Sequence, residues 1–112
     1  MEFELIQFTG LKELGALEQE RVKELAATYY NKIKRSLKNI TTLKIHIKEY
    51  KKEGARKKYS VHIKAVAPTR ILVSTKAFDW DIARVMHKAF QDIEREIIHK
   101  LKTDDQHNKP YS

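Results

Sequence analysis

The sequence has no cysteine, three glycines, two prolines and a single tryptophan in its 112 residues. Without cysteine, a disulfide framework, a zinc finger and a thiol nucleophile are all excluded. Three scattered glycines cannot form a glycine-rich loop that holds a nucleotide phosphate. There is no run of 18 apolar residues, and the first ten residues contain no signal-peptide core. These absences predict an intracellular, cytoplasmic protein that neither spans nor binds a membrane.

Positive charge is abundant in this sequence. The chain carries 23 Lys and Arg against 15 Asp and Glu, a formal net charge of +8. Nucleic acid is the most abundant acidic partner in a cell, so this balance favours a nucleic-acid-binding protein. A membrane surface would require basic residues beside bulky apolar ones along an amphipathic helix. The densest charge lies instead in a segment with strand periodicity.

Hydrophobic periodicity predicts the element order β-α-β-β-β-α. The predicted elements are a strand at 3–9, a helix at 14–37 ending near Asn39, hairpin strands around 43–47 and 59–65, a strand at 70–78, and a helix at 82–102. The hairpin is predicted to turn between Lys51 and Lys57, and Pro68 to end its second strand. In the first helix, Leu17, Leu25 and Leu37 are among the residues expected to face the core. In the second helix, the predicted apolar stripe runs from Ile82 to Leu101.

This order predicts an α+β fold, a two-layer sandwich with two helices on one face of a four-stranded, mostly antiparallel sheet. Residues 1–102 are predicted to form a single domain, and residues 103–112 a flexible polar tail. The arrangement leaves the second face of the sheet open to solvent or to a partner.

The segment from Lys44 to Lys64 contains eight Lys or Arg and two Glu, and therefore most of the net charge. If apolar residues face each other across the hairpin, the register gives four pairs: Ile45 with Ile63, Ile47 with Val61, His46 with His62, and Lys44 with Lys64. Like charges directly opposite each other are destabilising. An anion bound between the two lysines would explain why both are placed there. The alternative is a solvated hairpin whose lysines extend into water.

Three groups of basic residues are candidate contacts to RNA phosphates. The hairpin group is Lys44, Lys48, Lys51, Lys52, Arg56, Lys57, Lys58 and Lys64. The second helix contributes a stripe of Arg84, Lys88, Arg95, His99 and Lys102, which no carboxylate is expected to interrupt. The last turns of the first helix contribute Lys32, Arg35 and Lys38, where the helix dipole alone would also favour cations. The stripe is flanked by Asp92, Glu94 and Glu96. If these carboxylates form ordinary ion pairs with its cations, the stripe is simply the exposed, salt-bridged side of a helix.

The sequence offers little for catalysis or metal binding. His46 and His62, with Tyr50, are candidates for contact with RNA bases or ribose. Zinc commonly needs three or four ligands, and nothing nearby completes such a set. Asp79 and Asp81 are predicted to cap the second helix, with Trp80 covering the end of the core. No nucleophile stands beside a base, so we expect no enzyme activity, no cofactor, no metal and no small-molecule substrate.

Several features occur together in this chain: an opening strand that ends in Phe-Thr-Gly (Phe8–Gly10), a long first helix, a hairpin, and the stretch DIARVMHKAFQDIEREIIHKLK. Within that stretch, residues 93–97 follow an apolar, Glu, basic, any, apolar pattern. In these features the chain resembles the ribosome hibernation-promoting family, in its short, ribosome-associated inhibitor form. The hairpin tip is more basic than the family pattern, and a proline near the start of the first helix is absent.

The resemblance implies a fold like that of a double-stranded RNA-binding domain. It also implies binding to ribosomal RNA of the small subunit, in the channel for messenger and transfer RNA, and inhibition of translation in stationary or starved cells. The family uses basic residues on its helices, which carry over here to Arg95, Lys100 and Lys102, and to Lys32, Arg35 and Lys38.

Two alternatives stay open. A double-stranded RNA-binding domain of another role would be expected to begin its last helix with a lysine cluster, whereas this helix begins with DWDIARVM. A protein interaction module would dock a partner on the open sheet face or on an edge strand, and its positive charge would serve solubility.

Overall fold

The structure is a computed structural model that describes residues 5–37, 41–51, 57–68 and 70–107, the side chains of residues 51 and 100–107 excepted. Its elements are β1 (Ile6–Thr9), a short 3₁₀ helix (Leu11–Glu13), α1 (Ala16–Leu37), β2 (Thr42–Lys51), β3 (Lys57–Ala67), β4 (Arg70–Asp79) and α2 (Ile82–His107). The predicted element order is confirmed, with the 3₁₀ helix as an addition. Within the described ranges, no helix is long and apolar enough to span a membrane.

The four strands form one sheet in the order β1-β2-β3-β4. β1 pairs with β2 in parallel, and the two other neighbouring pairs are antiparallel. The predicted hairpin register is confirmed at all four pairs: Ile45 with Ile63, Ile47 with Val61, His46 with His62 and Lys44 with Lys64. The last pair before the turn is Lys51 with Lys57. This sheet, with its two helices, confirms the α+β two-layer fold.

The core lies between the helices and one face of the sheet. Strand alternation buries Leu43, Ile45 and Ile47 of β2 completely, and the helices cover them. Full burial of an aliphatic side chain of this size contributes about 1.5–3 kcal/mol, so this layer fixes the register. The two helices meet where the ring of Tyr29 stacks on that of Phe90 at 4.5 Å between centroids. Both helices therefore occupy the same face, and the other face has no covering layer in the described residues.

The core-facing side of α1 differs in part from the prediction. The helix begins at Ala16 rather than at residue 14, because the 3₁₀ helix occupies the preceding residues. Leu17 is 83% exposed, which contradicts its predicted place in the core. Leu25 and Leu37 are only half-buried, whereas Ala26 and Tyr30 lie in the core. The buried stripe is thus displaced toward the row that includes a small alanine, which lets the helix approach its neighbours closely.

α2 is longer than predicted. Its backbone is helical to His107, five residues beyond the predicted end at Lys102, and residues 108–112 lie outside the described part. Asp81 caps the helix, because its Oδ1 accepts a hydrogen bond from the Arg84 amide at 2.9 Å. Trp80 is 43% exposed, so it does not cover the end of the core as predicted.

Gly10, the last residue of the Phe-Thr-Gly sequence, has a clear physical role. Its φ is 85°, in the left-handed region that residues with a Cβ rarely adopt. A Cβ at this position would also overlap the carbonyl oxygen of Ile47 on β2. Glycine is therefore required where the chain leaves β1 and passes against the hairpin.

Candidate nucleic-acid interface

The uncovered face of the sheet is strongly basic. Strand alternation places residues of all four strands on this side, and on β4 a bulge interrupts the alternation after Thr75. The residues are Gln7 and Thr9; Lys44, His46, Lys48 and Tyr50; Lys58, Ser60, His62, Lys64 and Val66; Ile71, Val73, Thr75 and Phe78. We call this set the open face. It contains four lysines and two histidines, and its described residues include no Asp or Glu. Such a surface concentrates positive potential and attracts polyanions.

A depression of about 220 Å³ lies near the middle of the open face. Its polar lining includes Lys44, His46, His62 and Lys64, with Thr9 and Thr75 at its sides. The imidazole rings of His46 and His62 stand 6.2 Å apart between centroids, at an interplanar angle of 73°. Four nitrogen-bearing side chains therefore border this depression, and most of its exposed lining is apolar.

The hairpin end of the open face is aromatic. Tyr50 is 42% exposed and Phe78 56% exposed, and Trp80 lies just beyond the end of β4. The ammonium group of Lys58 sits over two of these rings, 4.3 Å from the centroid of Phe78 and 5.9 Å from that of Trp80. We call these four residues the aromatic corner. Clustered exposed rings of this kind usually mark an interaction site.

The described side chains of the basic stripe of α2, those of Arg84, Lys88, Arg95 and His99, are exposed as predicted, but carboxylates interrupt the stripe. The Lys88 Nζ lies 2.7 Å from Asp79 Oδ2, and a guanidinium nitrogen of Arg95 lies 3.2 Å from Asp92 Oδ1. The hydrogen bond from Lys88 is the main reason that the pKa of Asp79 lies below its ordinary value. The prediction of an uninterrupted stripe is therefore wrong. Asp79 reaches it from the end of β4, a neighbour that helix periodicity alone cannot reveal.

The stripe and the open face meet at the end of β4. Lys88 donates a hydrogen bond to the carbonyl oxygen of Phe78 at 3.4 Å, and the ring of Phe78 lies under Lys58. A second depression, of about 500 Å³, runs between β4 and α2, and Arg95 and His99 line it together with two carboxylates. The cations of the stripe are thus contiguous with the open face, but they lie among acidic groups.

The remaining predicted site residues are distributed as follows. Lys57 pairs with Glu49 at 2.9 Å, and this hydrogen bond raises the pKa of the Lys57 ammonium. Lys32 and Arg35 lie on α1, in the helix layer on the far side of the sheet from the open face. Six other predicted side chains lie outside the described ones: Lys38, Lys51, Lys52, Arg56, Lys100 and Lys102.

The polar contacts on the helix side of the sheet join one element of the fold to another. Tyr29 shares a hydrogen bond of 2.6 Å with His87 between the two helices, and burial, then the charge of Glu94, raises the pKa of this tyrosine. Tyr59 donates to a carboxylate oxygen of Glu18, and burial followed by that bond raises its pKa strongly. In the described part of the chain, no three His, Asp or Glu side chains form a group that could hold a metal ion.

Sequence reasoning missed most of the aromatic and apolar side chains of the open face. Ile71 and Val73 are about half exposed. The sequence does not show which residues of β4 face outward, because β-branched residues occur on both sides of this strand. A register shift between β3 and β4 adds to this, because Ser74 and Ala77 are both buried with two exposed residues between them. The bulge breaks the alternation from which the outward residues of β4 would be read.

Comparison of the chain with profiles of known protein families and with curated proteins finds no match.

Proposed function

We propose that the protein is a non-enzymatic, ribosome-associated RNA-binding protein. In this proposal it binds ribosomal RNA of the small subunit and inhibits translation in stationary or starved cells. The observation that carries the proposal is the open face, which holds four lysines and two histidines with no Asp or Glu among its described residues. The resemblance to ribosome hibernation-promoting proteins supports the choice of ribosomal RNA as the ligand.

The pairing within the hairpin favours an anionic ligand. Lys44 lies directly opposite Lys64, and both are exposed. A pair of like charges in this position destabilises a sheet by a few tenths of a kcal/mol. Within the described residues, no carboxylate pairs with either lysine. An RNA phosphate between them would replace this repulsion by two attractive contacts.

RNA binding by such a face is largely electrostatic. Each lysine that neutralises a phosphate releases condensed counterions, which makes the affinity strongly dependent on salt. A folded domain held in this way in the channel for messenger and transfer RNA would exclude both ligands by its bulk. Inhibition by exclusion therefore requires no catalytic group.

A second candidate is a protein interaction module. The half-exposed Ile71 and Val73 on β4, an edge strand, favour it, because apolar side chains on an edge suit a docked protein strand. The two candidates differ in their response to nuclease. A complex with ribosomal RNA is lost after RNase treatment, whereas a complex with a protein partner survives it.

The proposal is tested by following the protein through sucrose gradients of extracts from growing and from starved cells. We expect it to sediment with small subunits or whole ribosomes in starved cells, and purified protein to inhibit translation in a cell-free extract. Substitution of Lys44→Glu with Lys64→Glu should abolish both effects. The matched control, Lys12→Glu with Lys23→Glu, makes the same charge change elsewhere on the molecule. Sedimentation at the top of the gradient under both conditions would overturn the proposal.

A further inference from the structure

The described Phe, Tyr and Trp residues that are exposed all lie in the aromatic corner. Tyr50, Phe78 and Trp80 are between 42% and 56% exposed, whereas the other described rings are buried or half-buried. In the sheet register Tyr50 lies opposite Lys58, and Phe78 lies opposite Ser60, two residues further along β3. The rings therefore occupy the hairpin ends of β2 and β4, with Lys58 on the strand between them.

The corner and the basic depression lie on one line along β3. From Ser60, beside Phe78, it is two residues to His62 and four to Lys64. At about 3.4 Å per residue, these steps measure about 7 and 14 Å. A polynucleotide that follows β3 would thus meet aromatic rings first and a cluster of cations next.

We propose that the open face binds an unpaired stretch of RNA. The bases stack on the rings of Phe78, Trp80 and Tyr50, and the phosphates lie across the depression between Lys44 and Lys64. This inference rests on the proposed function for its ligand and adds the form of the RNA and the side chains that recognise it.

Single-stranded RNA fits this face better than a duplex does. In a duplex the bases stack on each other, and a protein reaches mainly phosphates, 2′-hydroxyls and base edges. A duplex therefore offers the exposed rings no base face on which to stack, and Phe78 would stay in water. Unpaired bases stack on aromatic side chains with little regard to their identity, because every base has a π face. We therefore expect weak sequence preference and a strong preference for unpaired RNA.

The sequence provides a direct probe, because Trp80 is the only tryptophan. Base stacking on Trp80 should quench its fluorescence when a 12-nucleotide single-stranded RNA is added, and the duplex of the same sequence should quench it less. Affinity for the single strand, measured by fluorescence anisotropy of a labelled RNA, should exceed that for the duplex. Substitution of Phe78→Ala should lower single-strand affinity at least about fivefold, since base–aromatic stacking contributes at least 1 kcal/mol.

The matched control is Ile98→Ala, which removes a side chain of similar exposure on α2. It should leave the affinity unchanged. Tighter binding to the duplex, or an unchanged affinity after Phe78→Ala, would overturn the inference. An affinity for polyglutamate equal to that for the single-stranded RNA would also overturn the inference, because the face would then select only negative charge. Binding to ribosomes without binding to the single strand refutes this inference alone, whereas the reverse result refutes the proposed function alone.

Discussion

Replacing both Lys44 and Lys64 with glutamine should change how binding to RNA responds to salt. The two side chains lie opposite each other on the open face and have no carboxylate partner among the described residues. The substitution removes two positive charges and keeps polar side chains of similar length. We expect the fold to remain intact, and stability to rise by a few tenths of a kcal/mol because the repulsion between the lysines is removed.

The magnitude follows from the number of lysines on the open face. If Lys44, Lys48, Lys58 and Lys64 each neutralise one phosphate, the slope of log affinity against log salt is about −2.8 for a single strand. Affinity then falls about 50-fold between 50 and 200 mM salt. With two lysines removed, the slope is about −1.4 and the same change of salt lowers affinity only about sevenfold.

The assay is a titration of a labelled 12-nucleotide RNA at several salt concentrations, followed by fluorescence anisotropy. The control is Lys12→Gln with Lys23→Gln, two exposed lysines on the 3₁₀ helix and on α1 that are not among the residues of the open face. The control protein has the same net charge as the variant, so a general effect of charge would appear in both. An equal slope for the wild type and the open-face variant would refute the assignment of these lysines to phosphates.

Three further predictions concern stability, measured by urea unfolding. Gly10→Ala should destabilise the protein by more than about 2 kcal/mol, because alanine must adopt a positive φ and would overlap β2. Gly15→Ala should cost about 1 kcal/mol or less, because its Cβ would meet only a carboxylate oxygen of Glu18, at 3.7 Å. Tyr59→Phe should cost about 1.5–3 kcal/mol by removing a hydrogen bond to a carboxylate, and should leave RNA affinity unchanged since Tyr59 faces the core. Asp79→Asn should cost about 1–2 kcal/mol at pH 7. Because the pKa of Asp79 is lowered in the folded protein, its contribution is complete above the ordinary range and disappears as pH falls through the lowered value. The difference between Asp79→Asn and the wild type should therefore vanish well below pH 4, and a constant difference would contradict this role.

The hairpin could be predicted in detail because its two strands alternate without interruption. Shifting the register by one residue would expose Ile45 and bury Lys44, so only one pairing is compatible with a core. The same reasoning failed on β4, where apolar residues on both faces and a bulge remove the alternation. The exposure of Phe78 follows from that bulge and from the end of the sheet, and neither is visible in a single strand's pattern.

The α2 stripe shows a different limit of sequence reasoning. The exposure of Lys88 and Arg95 was predictable from helix periodicity, and it is confirmed. The ion pair between Lys88 and Asp79 was not, because it joins α2 to the end of a strand. Substitution of Lys88→Glu would place two carboxylates together there, so it tests stability as well as RNA binding. Arg95→Gln is the better variant for binding alone, since Arg95 is 74% exposed at its side chain.

The central claim is that the open face contacts small-subunit ribosomal RNA, and crosslinking from single positions tests it most directly. The chain has no cysteine, so Thr75→Cys on the open face and Ala27→Cys on the exposed side of α1 each give one attachment point for a photo-crosslinker. With purified small subunits, we expect crosslinks to ribosomal RNA from Thr75→Cys and few from Ala27→Cys. Crosslinks mainly from Ala27→Cys, or none from either position, would contradict the account.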